Sequence, residues 1–200
     1  MLDFMRSVGA LKALPRQGWV DRGILNPESV ADHSYRAALM AWLLGQQAGL
    51  DAERLLKIML LHDLPEAIVG DSTPYGPMLE AGVNVAEAVS TWRKRLTPDE
   101  IAVARQVKHR REAEGLSQMI GSLPQTCADE LAVLWHEYAE GHSPEARFAS
   151  QIDKLEALLQ AIEYRQQGLP ADVENFLLSA RDQIEHPVLR QFLSEVEDLI

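Results

Sequence analysis

Apolar residues recur at intervals of three and four along almost the entire chain, which is the spacing that lines one face of an α-helix. Two runs show the interval most clearly: Leu39, Leu43 and Leu44, then Leu55, Leu56, Met59 and Leu60. No stretch of β-branched residues alternates with polar residues at the interval of two that a half-buried strand requires. The sequence therefore predicts an all-α fold.

Capping residues, prolines and glycines mark the ends of the expected helices. Starts are predicted after N-capping side chains, some of them followed by proline: Ser29, Asp51, Thr97 and Ser143. Ends are predicted at glycines that follow periodic segments: Gly49, Gly115, Gly141 and Gly168. Pro170 and Pro187 are each expected to open a final helix, which brings the total to roughly eight helices.

The 200 residues contain no repeat, no low-complexity tract and no long linker, so we expect one domain over residues 1–200. A net charge of −11 argues against binding long nucleic acids, whose affinity is built from cationic contacts to phosphates. A mean hydropathy of −0.15 and the lack of a long uncharged apolar run predict no membrane span.

The first residues carry Asp3 and Arg6 inside what would have to be an apolar signal core. We therefore expect no targeting segment and a cytoplasmic location. Cys127 is the only cysteine, which excludes an internal disulfide and argues against redox chemistry.

A histidine and an aspartate stand side by side at the end of a strongly apolar helix, as His62 and Asp63. Side chains of neighbouring helical residues point about 100° apart. These two can therefore bind one metal ion only at a helix end, or where the ion lies between the two side-chain directions. Glu66 follows His62 by four residues. Where the helical path continues past Pro65, Glu66 lies beside His62 and is placed to handle a proton. Taken alone, an adjacent histidine and aspartate are more often a chance pair than a metal site.

Two more polar residues stand where apolar ones are expected. His33 falls in the first turns of the helix that begins after Ser29, and Asp153 interrupts the apolar face of a helix far downstream. A buried carboxylate is costly to desolvate unless it is paired or bound to a cation. The alternatives are an ion pair of Asp153 with Lys154 or a neighbouring arginine, and a His33 exposed to solvent.

The order His33, then His62-Asp63, then Asp153 resembles the HD-domain superfamily of metal-dependent phosphohydrolases. The flanking residues are similar to its 5'-deoxynucleotidase branch, over a region from about residue 16 to residue 164 that leaves the C-terminal helices over 170–200 outside. The matching stretches are Arg16-x-Gly18-Trp19-x-x-Arg22-Gly23, Pro27 to Arg36, His62-Asp63-x-x-Glu66-Ala67-x-x-Gly70-Asp71-x-x-Pro74, Leu134 to Tyr138, Ala146 to Phe148, and Asp153 to Leu155.

The resemblance implies a single-domain HD fold whose core helices supply the metal ligands His33, His62, Asp63 and Asp153. It also implies a divalent transition metal, Mn or Co in particular, and the hydrolysis of deoxyribonucleoside 5'-monophosphates to nucleoside and phosphate. An ion held by two imidazoles and two carboxylates stays Lewis acidic and neutralises charge on a phosphoryl group. Members of the family are commonly homodimers, and the C-terminal helices, rich in leucine, suit either an interface or the core.

The same resemblance implies two acidic residues that assist the reaction. Glu66 matches the proton-handling position, and Asp71 matches an aspartate that orients substrate or water. A cap for the turn before Pro74 is an equally good role for Asp71.

The longest polar connection, from Pro15 to Pro27, is expected to recognise sugar and phosphate, because long ordered loops are often functional. Trp19 matches a tryptophan that packs near deoxyribose, where its ring excludes a 2'-hydroxyl. The alternative is that Trp19 anchors the loop in the core. A bacterial member has an arginine directly before this tryptophan, where this chain has glycine, so Arg16 and Arg22 are the candidates for the phosphate contact.

The same residues are compatible with other functions. An HD phosphohydrolase acting on a cyclic nucleotide, an alarmone or a triphosphate would use the same ligands, and a non-catalytic HD module would bind a nucleotide as a regulator. Trp19 with Pro27-Glu28-Ser29 favours the monophosphatase group. Retention of the four ligands together with Glu66 argues against a non-catalytic module.

The remaining charged residues receive structural interpretations. The basic run from Lys108 to Arg111 is expected to be the solvated end of a helix that stops at Gly115. Several histidines lack a partner motif and are left outside the predicted site: His109, His136, His142 and His186.

Overall fold

The computed structural model describes residues 1–73 and 97–200, and every regular element within these ranges is a helix. In chain order the helices are α1 (Leu2–Ala10), α2 (Gln17–Val20), α3 (Val30–Gln47), α4 (Ala52–Leu61), α5 (Glu66–Val69), α6 (Pro98–Ile120), α7 (Gln125–Glu140), α8 (Pro144–Gln166), α9 (Val173–Gln183) and α10 (Pro187–Glu197). The predicted all-α fold is confirmed. The count exceeds the expected one because single turns also occur, at α2 inside the predicted connection from Pro15 to Pro27 and at α5 shortly after α4.

The predicted helix starts carry the expected caps. Ser29 and Thr97 each form a capping box, with Asp32 and Glu100 respectively. The side chains of Asp51 and Ser143 likewise accept a hydrogen bond from the first turns of α4 and α8. One start was placed wrongly: α9 begins at Val173, not at Pro170, because the side chain of Asp172 accepts the Asn175 amide and caps the helix there.

The predicted helix ends are confirmed except at one glycine. Positive φ angles of 69°, 65° and 78° occur at Gly49, Gly141 and Gly168, just past the ends of α3, α7 and α8. Gly115 does not end a helix, because α6 continues to Ile120. A Cβ atom at Gly115 would lie 3.0 Å from Val69 Cγ1, so this glycine allows α6 to approach α5 closely.

Two clusters of buried apolar side chains hold the helices together. The larger cluster packs α3, α4 and α8 against one another and against α9 and α10, and includes Ala37, Leu55, Ile58, Ile152, Leu155 and Leu189. The smaller cluster joins α1, α6 and α7 through Phe4, Leu116, Met119 and Trp135. Leu61 packs against both clusters, so the turn that follows α4 lies at their junction.

The C-terminal helices contribute to the core. Three residues of α10 are buried in the larger cluster: Leu189, Leu193 and Val196. These residues therefore belong to the core and not to an interface. No helix in the described ranges is both long and apolar enough to span a bilayer.

Candidate metal centre

Three helices bring the predicted ligands together at this junction. α3 carries His33, the end of α4 leads into His62 and Asp63, and α8 carries Asp153. The Nε2 atom of His33 lies 3.2 Å from Nε2 of His62 and 3.2 Å from Oδ1 of Asp153. Oδ2 of Asp63 lies 3.1 Å from Nε2 of His62. Nε2 of His33 also lies 3.8 Å from Oδ2 of Asp63, so this nitrogen is close to one ligand atom of each of the other three residues.

Hydrogen bonds on the far side of both imidazoles set their orientation. Nδ1 of His62 lies 2.7 Å from the Met59 carbonyl oxygen, which can only accept, so Nδ1 donates this bond and Nε2 is the ring nitrogen that faces the centre. Nδ1 of His33 bonds to the buried carboxylate of Glu156, which the Arg36 side chain holds through a 2.8 Å bond from Nε. Imidazoles that bind metals are commonly oriented in this way by a carboxylate or carbonyl.

Both aspartates are held in the ionised form that a cation requires. Burial raises the pKa of Asp63, but His62, Arg16 and Lys108 together outweigh burial and lower the pKa well below its usual range. Burial also raises the pKa of Asp153. The charge of Lys154 and the contact with His33 oppose burial, and the pKa is lowered well below its usual range. The ion pair of Asp153 with Lys154, the alternative to a metal ligand, is present at 2.7 Å, and it uses Oδ2 while Oδ1 faces His33.

The donor set fits a divalent transition metal. Two imidazole nitrogens and two carboxylate oxygens form the mixed site that Mn, Co and similar ions accept. Arg16 contacts both aspartates, with Nη1 3.0 Å from Asp63 and Nη2 3.7 Å from Asp153. Burial lowers the pKa of Arg16, but the surrounding carboxylates outweigh burial and raise it. The centre thus attracts positive charge strongly.

Glu66 lies beside this centre in a buried position, 1% exposed. The helical path is interrupted between His62 and Glu66: bonds of three-residue spacing run from Leu64 to Leu61 and from Glu66 to Asp63, and Pro65 has no amide hydrogen. Burial, and then the charge of Asp63, raises the pKa of Glu66 well above that of an ordinary glutamate. Its Oε1 accepts a 3.0 Å bond from Lys108, and Oε2 has no hydrogen-bond partner among the described residues.

Asp71 connects the centre to the loop that precedes α3. Its Oδ2 accepts a 2.8 Å hydrogen bond from the backbone amide of Gln17 and lies 3.8 Å from Nη1 of Arg16. Asp71 thereby helps to place Arg16. The other role considered for Asp71, a cap for the turn before Pro74, involves a residue outside the described ranges.

Trp19 is buried beneath the loop. Its side chain is 3% exposed, and its indole nitrogen donates a 2.9 Å hydrogen bond to Glu28. The ring packs edge-on against Tyr164 at 5.2 Å between centroids and lies 4.8 Å from Phe176. These contacts match the loop-anchor interpretation, while the predicted role at the sugar remains a prediction.

The two candidate arginines lie in different surroundings. Arg16 contacts the carboxylates of the centre. Arg22 donates a 2.8 Å bond to the carbonyl oxygen of Gly18, and its guanidinium lies 4.7 Å from the centre of the Phe176 ring. Of the two, Arg16 is therefore the one positioned at the centre.

Sequence reasoning missed Lys108 and Glu156. The interpretation of Lys108 as part of a solvated helix end is wrong: α6 continues past it, and its amine reaches Glu66 and, at 3.3 Å, Glu112. A signal was available, since Lys108, Glu112 and Gly115 share one helical face. Glu156 is 0% exposed. In the sequence it stands among apolar residues of α8, and a charged residue in an apolar helical face is the same signal that identified Asp153.

The fold and the site together define a class: all-α proteins in which helices converge on a histidine, a histidine-aspartate pair and a second aspartate. The sequence pattern of the HD domain family matches residues 8–192. The chain belongs to this family.

Similar proteins are found across several lineages. The human 5'-deoxynucleotidase HDDC2 is 37% identical over 198 residues, which cover 98% of this chain and 84% of that protein. The 5'-deoxynucleotidase hdd1 of Schizosaccharomyces pombe is 32% identical over 201 residues, covering 98% and 88%. A solved structure described as a conserved hypothetical protein from Pyrococcus furiosus superimposes with a TM-score of 0.69 at 31% identity, over 99% of each chain.

Proposed function

We propose that this protein hydrolyses deoxyribonucleoside 5'-monophosphates to the deoxynucleoside and phosphate, with a divalent transition metal such as Mn or Co. The convergence of His33, His62, Asp63 and Asp153 beside the buried Glu66 carries the proposal. It is supported by the similarity of nearly the whole chain to proteins named 5'-deoxynucleotidases.

The ligand cluster would hold the ion through the inward nitrogens of His33 and His62 and the carboxylates of Asp63 and Asp153. When bound, the ion supplies Lewis acidity that withdraws charge from the phosphoryl group. The chain contributes the rigidity of this arrangement, because Met59 and Glu156 fix both imidazoles from behind.

Glu66 is assigned the proton transfer. Its raised pKa means that the carboxyl retains a proton to higher pH than an ordinary glutamate, which suits a general acid. Lys108 holds Oε1, so Oε2 is the atom that exchanges a proton with the leaving 5'-oxygen or with water. Lys108 is in this scheme a positioning residue.

Arg16 is assigned the phosphate contact. A guanidinium presents forked donors that match two phosphate oxygens, and Arg16 lies at the centre while Arg22 lies over Phe176. Trp19 is assigned the selection of deoxyribose, a role supported by its place three residues after Arg16 in the same loop.

We also propose a homodimer located in the cytoplasm. Support for the dimer comes from α3, which exposes apolar side chains at helical spacing, Tyr35, Leu39, Trp42 and Leu43. Light scattering on the protein and on the variant Trp42→Glu tests this face: the variant should be a monomer, and an unchanged mass would assign the interface elsewhere.

Phosphate release from matched deoxyribonucleotides and ribonucleotides tests the proposed reaction. Deoxyribonucleoside 5'-monophosphates should release phosphate with Mn²⁺ or Co²⁺ and none with EDTA. Hydrolysis confined to cyclic nucleotides, alarmones or triphosphates would favour another HD phosphohydrolase. Nucleotide binding with no hydrolysis of any substrate would favour a regulatory module.

A further inference from the structure

A second group of metal-binding side chains lies between α6 and α7, and it shares no residue with the centre described above. His109 of α6 faces His136 and Glu140 of α7, and one ligand atom from each lies within 4.8 Å of the other two. His136 and Glu140 are one helical turn apart, with Nδ1 of the histidine 3.9 Å from Oε1 of the glutamate. We propose that these residues form a second transition-metal site, which the proposed hydrolysis does not require.

Neighbouring side chains orient two of the three ligands. The ring of His109 stacks on Trp135, with 5.3 Å between centroids and 14° between planes. The second oxygen of Glu140 lies 2.9 Å from Nδ1 of His142. Metal ligands are commonly held by such secondary contacts, and here these contacts leave Oε1 of Glu140 directed at His136.

The chemistry of the donors selects the kind of ion. Two imidazoles and one carboxylate suit Zn²⁺, Ni²⁺ or Cu²⁺, with a further position open to water. In a tetrahedral zinc site the ligand atoms lie about 3.3 Å apart, so the 3.9 Å between Nδ1 of His136 and Oε1 of Glu140 must shorten by about 0.6 Å. The side chains of His136 and Glu140 are 47% and 43% exposed, so a small inward shift disturbs little packing.

An ion at this position would join α6 to α7. His109 directly follows Lys108, which reaches Glu66. A bound ion would therefore fix the stretch of α6 that positions the proton-handling residue. Because the unfolded chain does not hold the three ligands together, the ion should also raise the melting temperature.

Metal content measured by mass spectrometry tests the site. The Mn²⁺-loaded protein is equilibrated with Zn²⁺ and passed over a desalting column. The wild type should retain about one equivalent of Zn²⁺ more than His136→Gln or Glu140→Gln, because each variant removes one of three ligands. Both residues are half-exposed, so neither substitution should disturb folding, which circular dichroism verifies.

A matched control removes an imidazole elsewhere. His186 caps α10 and lies outside both clusters, and His186→Asn keeps a capping side chain, so this variant should retain the zinc content of the wild type. Equal zinc content in wild type, His136→Gln and Glu140→Gln would overturn the proposal.

Tryptophan fluorescence gives an independent measurement. Ni²⁺ bound by His109 lies next to the Trp135 ring, so Ni²⁺ should quench part of the emission of the wild type in a saturable way and should not do so in His136→Gln. Quenching that persists unchanged in this variant would also overturn the site. Neither measurement depends on hydrolysis, so failure of this site and failure of the proposed enzymatic activity are distinguishable.

Discussion

The two halves of the candidate active site are built differently. The ligand half, exemplified by His33 and Asp153, projects from long helices packed in the core, and the imidazoles are fixed on both sides. The loop half, with Arg16 and Trp19, comes from a connection that contains one helical turn. Core packing determines the first half many times over. In the second half it also fixes Trp19, whereas ion pairs hold the Arg16 side chain. We therefore expect substitutions in the ligand half to have the larger and less selective effects.

The largest effect is expected from losing a ligand. Asp153→Ala and His62→Ala should each abolish metal-dependent hydrolysis, because the remaining ligands hold the ion loosely and out of place. Phosphate release and metal content by mass spectrometry measure this outcome. The exposed Asp129→Ala provides the matched control and should retain both.

Thermal unfolding with EDTA checks the same assignment without measuring activity. Metal bound only by the native state stabilises it by about 2.7 kcal/mol at a hundredfold excess over Kd. EDTA should therefore lower the melting temperature of the wild type and leave that of Asp153→Ala and His62→Ala nearly unchanged. Equal shifts in all three proteins would contradict the ligand assignment.

The second effect separates proton transfer from metal binding. Glu66→Gln keeps the size of the side chain but cannot exchange a proton, so turnover should fall by roughly 10²- to 10⁴-fold. Metal content should stay that of the wild type. Loss of the metal in this variant would instead make Glu66 a ligand.

The ligand half was also the more predictable half. Asp153 could be predicted because a charged residue within an apolar helical face is costly, and the structure indeed buries it beside His33. That inference needs only local sequence. Lys108 could not be found in this way, because the sequence predicts a helix end at Gly115 and therefore a solvated position for Lys108. The contact between α6 and Val69 that explains Gly115 is long-range. The loop contacts of Trp19 depend on Phe176 and Tyr164, which lie far along the chain.

The third effect compares the two arginines of the loop. Charged hydrogen bonds contribute about 1.5 to 3 kcal/mol, so Arg16→Ala should lower kcat/KM by roughly 10- to 100-fold for deoxy and ribo substrates alike. Arg22→Ala should have a smaller effect, because Arg22 lies over Phe176. Steady-state kinetics on both substrate series decides the matter, and a larger loss in Arg22→Ala would reverse the assignment.

The fourth effect tests whether Lys108 acts through Glu66. The charge of Lys108 lowers the pKa of Glu66, so Lys108→Met should raise that pKa and move the corresponding limb of the pH profile to higher pH. Turnover should fall by about tenfold, less than in Glu66→Gln, because the acid itself remains. Lys57→Met is the control, since Lys57 pairs with Glu130 at the surface. A uniform loss of turnover with an unmoved pH profile would leave Lys108 only a structural role.

The smallest effect concerns Trp19, where the two interpretations of the loop diverge. Trp19→Ala would leave a cavity in the core that costs about 3 to 5 kcal/mol, and this loss would obscure any change in selectivity. Trp19→Phe keeps a ring against Tyr164 and Phe176 while removing the bond to Glu28 and part of the bulk. If the ring excludes the 2'-hydroxyl, the preference for deoxy over ribo monophosphates should fall, by about tenfold or less because most of the ring remains. Arg16→Ala should lower kcat/KM for deoxy and ribo monophosphates equally. It is therefore the reference variant in which the ratio of the two kcat/KM values stays unchanged. An equal loss on both series in Trp19→Phe would identify the tryptophan as an anchor that holds Arg16 in place, and sugar selection would then have to come from another residue.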